Sequence, residues 1–249
     1  MDIVDKLEGL STWQVLEQSA EAVPEKTAVI HGNEKTTYRE LYSMAEAMAA
    51  SVAELGLVKG DRVAVYMPNS IELMAAFYAL QKLGLIVVWI NPNYRKEDAR
   101  FILKDSGARA LVLFHEWDGY NYLDAISSVR KGLSSLEFIL AVCSKEIEGD
   151  GVYPFHRLLE EGQGKSAPAA DIDNQKDLSM LLYTSGTTGK PKGAMICHYA
   201  AVRGSWEYSQ GFGATGEDIH RLPAHVPFLW MRGGPDSTCC SPVNRGHNG

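Results

Sequence analysis

Short apolar runs rich in β-branched residues alternate along the chain with longer segments whose apolar residues recur every three or four positions. The short runs predict strands, and the longer segments predict amphipathic helices. The predicted strands are residues 27–31, 62–67, 85–90, 110–114, 138–142 and 178–183, and the predicted helices are residues 38–54, 70–83 and 96–106. Gly56, Gly84 and Gly107 follow these helices, where a left-handed C-terminal cap is favoured. We therefore predict an α/β fold of layered, mostly parallel sheets with flanking helices.

This pattern is interrupted between residues 160 and 176, where Gly, Ala, Pro and polar residues predominate without periodicity. Such a composition predicts a linker or a surface excursion. A chain of 249 residues, 45% of them hydrophobic, can bury a sizeable core in one large domain or two smaller ones. We expect a first α/β subdomain over residues 1–165, a linker over 166–177, and the incomplete start of a second subdomain over 178–249.

Charge and hydropathy exclude several classes of protein. A net charge of −7 disfavours nucleic acid as a partner, because acidic and basic residues are interspersed and the excess is negative. The first eight residues include three acids, which a secretory signal peptide would not. The most apolar window, residues 77–90, contains Gln81 and Lys82 and is too short to cross a bilayer. We therefore expect a cytoplasmic protein without a transmembrane segment.

Four cysteines lack the paired spacing that zinc or redox sites use, and they are interpreted as reduced thiols. They are Cys143, Cys197, Cys239 and Cys240.

The densest motif is YTSGTTGKPKG at residues 183–193, which directly follows a predicted strand. Its glycines let the backbone approach a ligand, its amides and hydroxyls donate hydrogen bonds, and its lysines balance negative charge, so it suits phosphate. A Walker loop is excluded on spacing, because Gly186 and Gly189 are too close together and Pro191 follows Lys190. A flexible Gly/Thr surface turn is disfavoured, since a turn needs only two or three special residues. ATP is the natural occupant.

The motif resembles the phosphate-binding signature of the adenylate-forming superfamily, which includes acyl-CoA synthetases, aryl-CoA ligases, luciferases and peptide-synthetase adenylation domains. Further blocks resemble the family in the same order. They are TYREL at 37–41, GDRVAVYMPNSIE at 60–72, LGLIVVWINPNYRKED at 83–98 and MICHYA at 195–200. The resemblance covers about residues 10–235 and implies the N-terminal part of the large domain of such an enzyme.

The resemblance implies a two-step reaction. A fatty or aromatic carboxylate first attacks the α-phosphate of ATP in the presence of Mg²⁺, which gives an acyl-adenylate and pyrophosphate. The thiol of coenzyme A, or alternatively of a carrier protein, then displaces AMP. Phosphoryl chemistry of this kind depends on positioning and charge stabilisation more than on a protein nucleophile.

The resemblance also implies the site residues. The implied catalytic residues are Thr184, which also lies near the magnesium, and Lys192, which neutralises departing charge. The implied ATP- and phosphate-binding residues are Thr184, Ser185, Gly186, Thr187, Thr188, Gly189 and Lys192. Trp230 stands where the family more often has a histidine, and it is either a wall of the acyl pocket or a core tryptophan. His198 matches a family histidine and is interpreted as structural.

Complete family members continue with an adenine-binding aromatic-Gly-x-Thr-Glu block, a ribose-binding aspartate, a hinge and a small C-terminal domain. None of these is present in the sequence, and its last 17 residues are polar and aperiodic. We therefore expect an N-terminal fragment with little or no ligase activity of its own. The alternative is a non-catalytic fragment that binds nucleotide weakly or only packs against a partner.

Overall fold

The computed structural model describes residues 9–143, 147, 149–184, 191–211, 219–221 and 238–241. The helices are α1 (Thr12–Ala22), α2 (Tyr38–Glu54), α3 (Ile71–Lys82), α4 (Lys96–Ser106), α5 (Tyr122–Ser127), α6 (Phe155–Gly162) and α7 (His198–Gly211), with a 3-10 turn at Arg130–Gly132. The strands are β1 (Thr27–His31), β2 (Glu34–Thr37), β3 (Arg62–Tyr66), β4 (Ile86–Trp89), β5 (Ala110–Phe114), β6 (Glu116–Trp117), β7 (Tyr120–Asn121), β8 (Phe138–Val142), β9 (Val152–Pro154), β10 (Leu178–Thr184), β11 (Lys192–Cys197), β12 (Ile219–Arg221) and β13 (Thr238–Ser241).

A seven-stranded sheet in the order β11-β10-β4-β3-β5-β8-β9 organises the structure. Its neighbouring strands are parallel except for β10 and β11, which form an antiparallel hairpin. The predicted α/β class is confirmed. The first predicted strand, however, lies outside this sheet: β1 pairs antiparallel with β2 and parallel with β13, which also pairs with β12. Strands β6 and β7 form a separate small hairpin.

Both faces of the central sheet are covered by helices. Along β3, Val63 and Val65 pack into one core with residues of α1, α2, α3 and α6, whereas Ala64 and Tyr66 pack into a second core with residues of α4 and α5. Strands buried on both faces read as continuous apolar runs, which is why the sequence showed no alternation there. Helix α3 is buried around most of its surface, as expected for a helix with few polar residues.

The predicted boundaries agree closely with the observed ones. Helices α2 and α4 have the predicted bounds, and the observed bounds of α3 differ from the prediction by one residue at each end. Gly56, Gly84 and Gly107 have φ values of 78°, 67° and 60°, which confirms the left-handed caps. The hydroxyl of Ser70 caps α3 by accepting the amide hydrogen of Leu73 at 3.1 Å.

The segment between α6 and β10 is docked against the end of α3 and the loop before β3. The amide of Ala170 donates to the carbonyl of Lys82 at 2.8 Å, and the ammonium of Lys59 donates to the carbonyl of Asp171 at 2.6 Å. Strand β10 then pairs with β4, so the chain on both sides of this segment contributes to one sheet. The predicted division into two subdomains at residues 166–177 stays a prediction.

Candidate functional site

The two predicted catalytic residues meet at the end of the β10–β11 hairpin where residues 185–191 connect its two strands. Thr184 ends β10, Lys192 begins β11, and the two are directly opposed in the antiparallel register. Opposed residues in such a pair have Cα atoms about 4.5–5.5 Å apart, so the hydroxyl and the ammonium group share one end of the hairpin. Both side chains are exposed. This arrangement presents a donor and a positive charge to solvent.

Lys192 forms no ion pair with any residue in the described ranges. Its ammonium is therefore available to an anion from outside this part of the chain. Six of the predicted site residues lie outside the described residues, and their roles stay predictions. They are Ser185, Gly186, Thr187, Thr188, Gly189 and Trp230.

The hairpin belongs to the edge of the sheet at which the parallel strands end. Leu181 and Leu182 of β10 are in register with Val88 and Trp89, so Thr184 lies beyond the carboxyl end of β4. Open α/β sheets bind ligands in crevices outside the carboxyl ends of their strands. The position of Thr184 and Lys192 is therefore one at which this class of fold holds its ligands.

The opposite end of the hairpin is fixed by a buried polar network. The hydroxyl of Ser179 donates to the side-chain oxygen of Gln81 at 2.5 Å, and the amide group of Gln81 donates to the carbonyls of Ser179 at 3.1 Å and Leu85 at 3.3 Å. Thr12 continues the network, because its backbone amide donates to Nδ1 of His198 at 3.2 Å and its hydroxyl lies 3.4 Å from that of Ser179. These contacts join α1, α3, α7 and β10.

All four members of this network, Thr12, Gln81, Ser179 and His198, are completely buried. Nδ1 of His198 is an acceptor, which fits a neutral imidazole and the structural interpretation of this residue. Sequence reasoning missed the other three members as a group. The available signal was a polar side chain within an apolar segment, since such groups need internal hydrogen-bond partners when buried.

Tyr183, the residue before Thr184, contacts a helix on the second face of the sheet. Its hydroxyl donates to Oδ2 of Asp105 in α4 at 2.7 Å. Burial, followed by the neighbouring carboxylate of Asp105, raises the pKa of Tyr183, so the phenol remains a hydrogen-bond donor at neutral pH. Sequence reasoning did not predict this contact, because 78 residues separate the two side chains.

The outer strand of the hairpin is largely exposed. Residues 192–195 are exposed, and Met195 retains 73% of its accessible surface. Within the described residues, β11 has no strand paired to its outer edge. An edge of this kind is a place where further polypeptide can pack.

Three further features of the described residues concern their thiols, their metal ligands and the length of their apolar helices. Cys143 and Cys197 are not joined in a disulfide bond. The described ranges contain no group of three or more His, Cys, Asp or Glu side chains that could hold a metal ion. None of the helices described here has the length and apolar character needed to span a bilayer.

Comparison with known proteins decides the family. Residues 16–239 match the profile of the AMP-binding enzyme family, which is most of the chain. The chain belongs to this family. The predicted membership of the adenylate-forming superfamily is thereby confirmed, and the hairpin carries the signature on which that prediction was based.

Relatives of this AMP-binding chain include acyl-CoA synthetases and ligases. It is 28% identical over 237 residues to the putative acyl-CoA synthetase YngI of Bacillus subtilis, with 87% of this chain and 42% of that protein covered. It is 32% identical over 217 residues to the medium/long-chain-fatty-acid–CoA/3-oxocholest-4-en-26-oate–CoA ligase of Mycolicibacterium smegmatis, with 84% and 37% covered.

Solved structures of related enzymes share the fold. The anthranilate CoA ligase AuaEII in complex with anthranoyl-AMP superposes with a TM-score of 0.79 at 25% identity, covering 93% of this chain and 44% of that one. The chain therefore spans about two fifths of the length of these three proteins.

Proposed function

We propose that this chain supplies the phosphate-holding part of an ATP-dependent ligase that activates a fatty or aromatic carboxylic acid as its acyl-adenylate and then forms the CoA thioester. The observation that carries the proposal is Thr184 opposite Lys192, both exposed, at the carboxyl edge of the sheet in a member of the AMP-binding family. The relatives include ligases named for fatty acids, and AuaEII was solved with an aryl-adenylate. These names support the proposed classes of acid.

The proposed chemistry needs charge stabilisation at the departing pyrophosphate. When the carboxylate oxygen bonds to the α-phosphorus, the bond from that phosphorus to the bridging oxygen breaks and pyrophosphate leaves with the electron pair. The ammonium of Lys192 stabilises this negative charge, and the hydroxyl of Thr184 donates to a phosphate oxygen. In the second step the thiol of coenzyme A bonds to the acyl carbon, the bond from that carbon to the phosphate oxygen of AMP breaks, and AMP leaves. The thiol of a carrier protein is the alternative acceptor.

The described residues would contribute little to binding a magnesium ion. Because they hold no acidic metal cluster, a magnesium ion here would take its oxygen ligands mainly from the phosphates and water, with the hydroxyl of Thr184 beside it. Magnesium would supply charge neutralisation for the phosphates. We place this chemistry in the cytoplasm, where ATP and coenzyme A are both available.

A second candidate is a non-catalytic fragment that binds nucleotide weakly or only packs against a partner. One observation favours it: the outer strand is exposed, with Met195 at its surface. In this candidate the hairpin keeps its phosphate affinity but contributes catalysis only when further polypeptide completes the site.

The test compares Thr184→Ala and Lys192→Ala with the unmodified chain. Calorimetric titration with magnesium-ATP should show affinities lowered about tenfold in each variant, because a donor or a positive charge that meets phosphate has been removed. Lys35→Ala, which removes an exposed strand lysine far from the hairpin in sequence, serves as the matched control and should change affinity less than about twofold.

Acid-dependent exchange between ATP and pyrophosphate separates the two candidates. Exchange by the unmodified chain supports the ligase, whereas nucleotide binding without exchange supports the fragment, with exchange restored when the C-terminal part of a related synthetase is supplied. Equal magnesium-ATP affinity in the unmodified chain and both site variants would contradict the proposed function.

A further inference from the structure

We propose that Tyr183 is a positioning residue that fixes Thr184 opposite Lys192 for polyphosphate binding, held in place by Asp105 and by close packing on Gly193. These three residues, Tyr183, Asp105 and Gly193, are called the tyrosine clamp below. Its role in ligand binding rests on the proposed function, whereas its role in holding the hairpin does not.

The clamp acts where the sheet no longer holds the hairpin. Backbone pairing between β10 and β4 extends to Leu182 opposite Trp89, and the next two residues of β10 are paired only with β11. Strand β11 is itself at the edge of the sheet. The bond from the phenol of Tyr183 to the carboxylate of Asp105 therefore ties this end of the hairpin to the body of the protein.

The absence of a side chain at Gly193 leaves room for the ring of Tyr183. It is opposite Tyr183 in the hairpin register, and a Cβ atom built on it would lie 3.2 Å from both Cε2 and Cζ of that ring. Gly193 does not have a positive φ, so glycine is needed here for space and not for backbone conformation. A side chain at this position would push against the ring that carries the hydroxyl.

Asp105 is unfavourably placed for its own helix. It lies in the last turn of α4, where the negative end of the helix disfavours a carboxylate. Asp105 forms no ion pair with any residue in the described part of the chain. The charge-assisted hydrogen bond from Tyr183 offsets this placement and explains it.

The experiment uses the whole chain with four variants. Tyr183→Phe removes the hydroxyl and keeps the ring, Asp105→Ala removes the acceptor, and Asp105→Asn keeps a neutral acceptor. The double variant of Tyr183→Phe with Asp105→Ala tests whether the two side chains act as one unit. Tyr42→Phe is the matched control, because Tyr42 is also partly buried with a carboxylate, Glu46, beside its hydroxyl, but it lies on α2.

Two readouts are taken from each variant. Hydrogen exchange of the amides in residues 178–184 and 192–197, without ligand, reports how firmly the hairpin is held. Calorimetric titration with magnesium tripolyphosphate reports binding by a probe that carries no base, ribose or acid.

Loss of the clamp should raise hairpin exchange about threefold to tenfold and weaken tripolyphosphate binding by a similar factor, since the bond is partly solvated. Asp105→Asn should lie between the unmodified chain and Asp105→Ala, and the double variant should equal the stronger single one. Tyr42→Phe should change neither readout more than about twofold.

Unchanged hairpin exchange in Tyr183→Phe and Asp105→Ala would overturn the clamp. Faster exchange with unchanged tripolyphosphate affinity would overturn its positioning role. An unmodified chain that binds neither tripolyphosphate nor magnesium-ATP would instead contradict the proposed function, and the exchange measurement would still decide whether the clamp holds the hairpin.

Discussion

The two ends of the β10–β11 hairpin are built in opposite ways. At one end Ser179 is completely buried and its hydroxyl is bonded within a network that joins three helices to the strand. At the other end Thr184 and Lys192 are exposed, and β10 has lost its pairing with β4. The same two strands thus pass from a buried, satisfied environment to a solvated one within seven residues of β10.

This difference separates residues that support the fold from residues available to a ligand. A buried polar group needs a hydrogen-bond partner within the protein, and removing that partner lowers the stability of the fold. An exposed donor or cation contributes little to stability and can meet a ligand instead. Substitutions at the buried end should therefore change unfolding, and substitutions at the exposed end should change binding.

The largest effect on stability is expected for Gln81→Leu at the buried end. This change removes the partner of the Ser179 hydroxyl and of two carbonyls, and it should lower the free energy of unfolding by about 3 kcal/mol. Urea unfolding followed by circular dichroism measures the change.

The control for this prediction is Gln175→Leu, the same substitution at an exposed position. Its effect should stay within about 0.5 kcal/mol. If Gln81→Leu were as stable as this control, the buried network would not support the hairpin, and the contrast between its two ends would fail.

A smaller effect on the free energy of unfolding is expected at alkaline pH from Tyr122, a buried tyrosine of α5 in the second core. The hydroxyl of Tyr122 donates to the carbonyl of Pro92 at 2.9 Å, and burial raises the pKa of Tyr122 to about 12. Between pH 10 and pH 12 the tyrosine ionises in the unfolded chain but stays protonated in the folded one. Its contribution to stability is therefore complete below about pH 10 and is lost as the pH rises to about 12, by on the order of 2–3 kcal/mol.

Tyr122→Phe should be less stable than the unmodified chain at neutral pH by about 1 kcal/mol, because a buried hydrogen bond is lost. The difference should shrink above about pH 10 and change sign before pH 12, and urea midpoints at several pH values measure it. A constant difference over this range would show that Tyr122 ionises alike in both states.

The smallest effect is expected for Met195→Ser on the exposed outer strand. Met195 is 73% exposed, so little apolar surface is lost from the folded core and the free energy of unfolding should change by less than about 0.5 kcal/mol. Thermal unfolding measures this directly. A loss of more than about 1 kcal/mol would mean that the outer strand is packed in solution and that the two ends of the hairpin are less different than described.

Local sequence rules predicted the parts of the fold that local forces determine. Helix α2 was placed correctly because its apolar residues recur regularly up to the stop signal at Gly56. Thr184 and Lys192 were identified because the motif resembles the phosphate-binding signature of the family. In the structure the two residues are opposed in the hairpin register, while their catalytic roles stay predictions.

Long-range features were beyond the same rules. The outward placement of β1, the pairing of β10 with β4, and the bond between Asp105 and Tyr183 each depend on tertiary packing between distant parts of the chain. Strand β11 was not predicted because it is exposed and its apolar and polar residues do not alternate. Helix α1 was not predicted because only a narrow face of it is apolar. Only the folded arrangement brings these partners within contact distance.

The pairing of β10 with β4 also bears on the order in which the protein folds. Met180 pairs with Val87, and Thr12 bonds to His198 across 186 residues, so both contacts close long loops. Closing such loops costs entropy before any contact is gained, and native contacts of large sequence separation slow folding. We expect β3, β4 and β5, which are close in sequence, to associate early, and the strand that carries Tyr183 to dock late. During synthesis α1 can form its hydrogen bond to His198 only after the ribosome has released α7.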